Sequence, residues 1–167
     1  MNADYFRRLI DYTFWANSKV WECVDTLTEA QFNQPSDYSI GSVQQQVVHQ
    51  MNVERLWFTR IVGEPATAHL EAADYPTRPV IRQKWDEVEA AWRDYMPTLK
   101  DSDLEVQITF TSITTQRQSA CLRWEGLMQT INHSTDHRAQ ILSLIHQVGG
   151  QKTVPQDFIY YVWNLEP

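Results

Sequence analysis

The sequence predicts an all-α, four-helix bundle, with a short β-hairpin or extended crossover before the last long helix and a short C-terminal helix. Three observations lead there. Four long stretches repeat apolar residues at steps of three and four, the period of one helix face. One stretch, Leu104 to Cys121, changes to a period of two. Breaks rich in Pro, Gly and small polar residues separate the stretches.

The first helix is expected from a cap at Asn2 or Asp4 to about Leu27. Tyr5, Leu9, Tyr12, Ala16, Val20, Val24 and Leu27 form its apolar line, widened by Phe6, Ile10, Phe14 and Trp21. Thr28 to Phe32 reads as a short separate turn, and Gln34 to Ser39 as a loop. Ser39 or Ser42 opens the second helix, which runs to about Val62 and stops at Gly63-Glu64-Pro65. Its stripe is Val43, Val47, Met51, Phe58 and Ile61. A long loop containing His69 follows. The third helix spans about Val80 to Leu99, with Pro97 ending or bending it. The alternation of Val106, Ile108 and Phe110 with Gln107 and Thr109 reads as a hairpin or extended piece lying on the bundle. The fourth helix spans about Arg123 to Gln147 and is stopped by Gly149-Gly150. Pro155 precedes the aromatic run Phe158 to Trp163, a short closing helix. No repeat or linker divides residues 1–167, which are expected to form a single domain.

The net charge of −7 and a pI near 5.1 argue against nucleic acid as the main partner, since phosphate binding needs a clustered basic surface. No run reaches the ~18–20 apolar residues of a membrane span. The N-terminus lacks the basic-then-apolar form of a signal peptide. A soluble cytoplasmic protein with no membrane partner is expected. Cys23 and Cys121 form no CxxC and read as two small hydrophobes in a reducing compartment; spacing alone leaves a long-range disulfide open.

The chemistry concentrates in the histidines. His133 and His137 are four apart on the last helix, so their rings stack on one face, within reach of a common cation. His49 is mid-helix and off the apolar stripe, in line with Gln45, Val53, Leu56 and Arg60. That position suits either a crevice-lining side chain or an ordinary partly exposed one. His69 lies in a loop, and His146 is about 140° off the His133–His137 line. The candidate metal set is therefore His49, His133 and His137, which leaves an open position on a divalent ion. HExxH is absent, the double ExxH of di-iron bundles is absent, and no phosphate loop, GxSxG elbow or dinucleotide fingerprint occurs. Asp136 is about 100° off the histidine line and reads as a salt-bridging surface residue, so no general base is assigned.

Several motifs together resemble one family: Tyr12-Thr13-Phe14-Trp15-Ala16-Asn17, Val47-Val48-His49-Gln50-Met51, His133-Ser134-Thr135-Asp136-His137-Arg138-Ala139-Gln140-Ile141, Gly149-Gly150 and Pro155-Gln156-Asp157-Phe158. The chain is similar over almost its whole length to the DinB/YfiT-like metalloproteins. Ala139 departs from the glycine common in relatives, one small residue for another. The resemblance implies a four-helix bundle holding a divalent metal, zinc or nickel, on His49, His133 and His137. It also implies a homodimer, and a thiol-dependent S-transferase or isomerase using a low-molecular-weight thiol such as bacillithiol, mycothiol or glutathione on a small electrophile. The alternative is a metal-binding stress-response bundle without turnover, acting as scavenger, sensor or partner-binding protein. The blandest reading is a structural bundle whose histidines satisfy buried polar groups.

Overall fold

The computed structural model describes residues 2–65, 67–112, 115–151 and 154–165. Helix α1 spans Ala3–Val24, and the Asn2 side chain accepts the Tyr5 N–H at 2.9 Å to cap it. A short α2 (Glu29–Phe32) follows, with a reciprocal capping box between Thr28 and Gln31. Helix α3 spans Val43–Val62, capped by Ser42 with Gln45 reaching back, and ends on Gly63 at φ +81°, a left-handed position that favours glycine. Helix α4 spans Arg78–Tyr95. Strands β1 (Gln107–Thr111) and β2 (Gln118–Leu122) form an antiparallel hairpin, with Ile108 opposite Cys121 and Phe110 opposite Ser119. Helix α5 spans Arg123–Gln147, and α6 spans Phe158–Leu165.

The bundle is built on α5, which packs along α3 on one side and α1 on the other, while α4 closes against α3. The core takes Phe6, Ile10, Phe14 and Trp21 from α1, Val47 and Met51 from α3, Trp85 and Trp92 from α4, and Leu127, Ile141 and Ile145 from α5. The hairpin lies on the bundle as its alternation predicts. Ile108 is buried, and Phe110 meets Trp57 edge-on at 5.3 Å.

Several boundaries and faces differ from the sequence reading. The centre of the α1 face is Phe6, Ile10, Phe14 and Trp21, whereas Tyr5, read as part of the main line, is 53% exposed. Two stripes one residue apart are both apolar there, and tertiary packing selects between them. Helix α1 stops at Val24, and Leu27 is buried beyond its end. Helix α4 starts two residues earlier than Val80 and ends at Tyr95; Pro97 sits in a following 3₁₀ turn, Met96–Thr98. Cys23 and Cys121 are not joined to each other.

The turn after α5 carries the first prediction. A Cβ built on Gly150 would lie 2.6 Å from side-chain carbons of Ile145 and Leu27, and 2.8 Å from the Ile145 carbonyl. Backbone and buried core atoms cannot both yield, so Gly150→Ala should destabilise by about 1–3 kcal/mol in urea unfolding. Unchanged stability would mean that the α5–α2 corner is loosely packed.

Candidate metal centre

Helices α3 and α5 bring His49, His133 and His137 together at their seam. The ring centroids are 5.3 Å apart for His49–His133, 4.6 Å for His49–His137 and 4.2 Å for His133–His137. One potential ligand atom from each lies within 4.8 Å of the other two. His49 Nε2 and His133 Nε2 are 3.3 Å apart. Two lone pairs at that distance need a proton or a cation between them. Two nitrogens bound to zinc at ~2.0–2.1 Å and a tetrahedral angle lie about 3.3–3.4 Å apart, so this pair already has the spacing of two ligands.

His137 is oriented from behind. Its Nδ1 lies 3.1 Å from Gln46 Oε1, and an amide oxygen only accepts, so Nδ1 carries the proton and Nε2 is left with a lone pair. Gln46 Nε2 donates in turn to Gln140 Oε1 at 3.4 Å, and Gln140 Nε2 donates to Asp136 Oδ2 at 2.9 Å. Asp136 is on the surface as expected, but its partner is Gln140 and not a cation. The Nδ1 of His133 is buried with no hydrogen-bond partner among the described residues.

The site holds its imidazoles neutral. Burial, then the like charge of His137 and His49, pulls the His133 pKa down to about 3. Burial first, then His137 and His69, pulls His49 down to about 4. Burial also lowers His137, opposed by the Asp136 carboxylate. Neutral rings are what a metal ligand requires. His146 is exposed at the far end of α5. His69 is exposed in the loop fastened to α3 by the Leu70 N–H on Asn52 Oδ1, with Glu71 4.0 Å away. Neither joins the cluster.

Directly beneath lies a polar core that the sequence reading missed. Glu54 is 1% exposed and accepts on Oε1 from Asn17 (3.0 Å), Gln50 (3.1 Å) and Ser134 (2.7 Å), and on Oε2 from the Trp85 indole (2.7 Å). Ser134 stands between the two α5 histidines in sequence, so this bond fixes the rotation of the helix that carries them. Arg138, also 1% exposed, donates to Asn17 Oδ1, Thr135 Oγ1 and Gln156 Oε1 and lies over the Tyr12 ring at 5.6 Å. Tyr12 donates to the Gln156 carbonyl, so the tail is clasped to α1 and α5 beside His137. One signal was available: Gln46, Gln50 and Glu54 recur every four residues, a polar row one turn apart on a helix otherwise read for its apolar stripe.

The comparisons agree with this architecture. The chain matches the model of the DinB family over residues 1–167. A DinB-like protein from Bacillus cereus ATCC 10987 superposes with a TM-score of 0.69 at 18% identity, over 92% of this chain and 97% of that one. A conserved protein from Enterococcus faecalis gives 0.65 at 14% identity, over 84% and 94%. A DinB family member from Shewanella denitrificans gives 0.58 at 13% identity, over 94% and 88%. No curated protein sequence matches. Among the described residues no helix is long and apolar enough to cross a membrane. A whole-length family match, on a fold shared with DinB-like structures, places the chain in the DinB family.

Proposed function

We propose that the protein binds a divalent metal, zinc or nickel, on His49, His133 and His137, and uses it to transfer a low-molecular-weight thiol to a small electrophile. The observation that carries the metal reading is the 3.3 Å approach of two half-buried imidazole nitrogens, with a third imidazole oriented by Gln46. The thiol chemistry rests on the family resemblance and on the three-ligand count, which leaves a coordination position for substrate. The ion, when bound, supplies Lewis acidity that lowers the pKa of a thiol or water at that position. The protein's own residues do the rest. Gln46 fixes the His137 ring, Ser134 and Glu54 fix α5, and burial keeps the rings unprotonated. Glu54 does not serve as a base toward substrate, because both its oxygens are already engaged in the core.

The test is metal content of tag-free protein. His49→Ala, His133→Ala and His137→Ala should each lose most of the metal, by similar amounts, while His69→Ala and His146→Ala keep it. Full occupancy in His49→Ala would remove α3 from the site. Metal-loaded protein should then consume thiol with an epoxide or alkyl halide. Metal binding without thiol consumption would instead favour the non-catalytic reading.

We also propose a homodimer, consistent with the aromatic surface of α6, where Phe158, Ile159, Tyr160 and Trp163 are 39–56% exposed. Light scattering at micromolar concentration should give twice the 19.6 kDa chain mass. A mass of one chain sets the dimer aside.

A further inference from the structure

Arg60 is an unmatched cation. It sits on the last turn of α3, half-buried, with its guanidinium carbon 4.8 Å from the Trp57 ring centre and 4.5 Å from that of Phe110. Those two rings meet at 71°, so the guanidinium occupies the corner between them. None of its five N–H donors bonds a described residue, and no described carboxylate lies within ion-pair distance. Other arginines withdrawn from solvent are matched. Arg78 pairs with Glu29, Arg82 with Asp86 and Glu89, and Arg55 with Asn52 and the Ala68 carbonyl. The ionisable group whose charge would act on Arg60 is the Cys121 thiol, and burial pushes its pKa up, which keeps it neutral. A partly desolvated charge without a counter-ion is costly, and an incoming anion relieves that cost.

The same guanidinium faces a cavity of about 460 Å³ between the end of α3 and the hairpin, within the size range of small-molecule sites. Leu56 and Ile108 give it apolar wall, while Thr109 and Gln118 from the strands give it polar edge. Arg123 also lines it, but its donors go to the Ile61 and Asp103 carbonyls, both at 3.2 Å. Glu64 at the rim adds one negative charge. Arg60 and Arg123, with Glu64 at the rim, leave the cavity a net single positive charge, which suits a monoanion and not a dianion. A ring-backed guanidinium offers its in-plane edge, which matches the two oxygens of a flat anion.

We propose that this cavity binds the carboxylate of a small organic acid, with Arg60 as the anchor and Leu56 and Ile108 receiving the carbon body. The site is independent of the histidine cluster. Arg60 is eleven residues beyond His49 on the same line of α3, about 16 Å along the axis.

The test is a titration of the full chain with hexanoate, read on the indole N–H resonance of Trp57, assigned by its loss in Trp57→Phe. Hexanoate should shift it saturably, and the neutral analogue hexanamide should not. Arg60→Gln should weaken binding by about tenfold or more, the loss of a charge-assisted bidentate contact. Thr109→Glu, at an exposed strand position, places a carboxylate at the cavity wall and should abolish binding with all the packing of Arg60 left in place. The proposal is overturned by a shift that does not saturate below about 50 mM, near the limit of specific affinity. Equal affinity in Arg60→Gln or Thr109→Glu overturns it too, as does equal binding of hexanamide. Tighter binding of inorganic phosphate would overturn the carboxylate assignment.

Discussion

Glu54→Ala is expected to be the most damaging single substitution, at about 3–5 kcal/mol of unfolding free energy. The carboxylate is 1% exposed and is the common acceptor for four donors from three other places in the bundle and its own helix. Its removal leaves Asn17, Gln50, Ser134 and the Trp85 indole with buried, unpaired N–H or O–H groups, each costing about 1–3 kcal/mol before relaxation. It also removes the nearby negative charge that helps to hold Arg138 in its charged form. Glu54→Gln should recover only part of the loss, since an amide nitrogen adds a donor where donors already converge. Urea unfolding of metal-free protein measures both. A loss under about 1 kcal/mol for Glu54→Ala would mean that water takes over the carboxylate's role and the network is not cooperative.

Metal affinity should fall far less in mild acid than three ordinary histidines would require. If all three rings titrated near 6.5, protons would compete at each, and affinity at pH 5 would fall by roughly 10⁴. With His49 near 4 and His133 near 3, those two rings are still neutral at pH 5. The loss from pH 7.5 to 5 should then be no more than roughly thirtyfold, all of it from His137. Zn²⁺ competition against a chelator of known pH dependence reads this directly, and a loss near 10⁴ would show the rings to be solvated.

The same shifts set the acid stability of the metal-free protein. These histidines bind protons more weakly folded than unfolded, so their contribution is complete above about 6.5 and is lost as pH falls toward 4 and then 3. Glu89 works the other way. Burial outweighs Arg82 and pushes its carboxyl up to about 7, so its contribution is complete below the ordinary glutamate range and is lost as pH rises through 7.

The sequence made the bundle legible because long helices at the surface of a core have to repeat apolar residues every three to four positions. Helix α5 could be bounded from that period and its glycine stop alone, and the hairpin from a change of period. The three histidines could be grouped because two were one turn apart and the other candidates were in a loop or off the line. What could not be read is whatever depends on rotation between helices. Glu54 and Gln50 look like surface residues in a periodicity analysis, yet they face Asn17 and Ser134 across the core. The choice between adjacent apolar stripes on α1 likewise depends on the tail, whose Gln156 carbonyl takes the Tyr12 hydroxyl.

The amide relay behind His137 also has a consequence for electron donation. A histidine backed by a carboxylate becomes a stronger donor and passes part of a negative charge toward whatever it binds. Here the Asp136 carboxylate is separated from the ring by two amides, Gln140 and Gln46, so the ring remains a neutral imidazole that borrows no negative charge from behind. With no anionic ligand among His49, His133 and His137, a divalent ion held by these rings would leave the site with a net charge of +2. Replacing Gln46 by glutamate would therefore act as a rheostat, softening that charge without touching a single ligand.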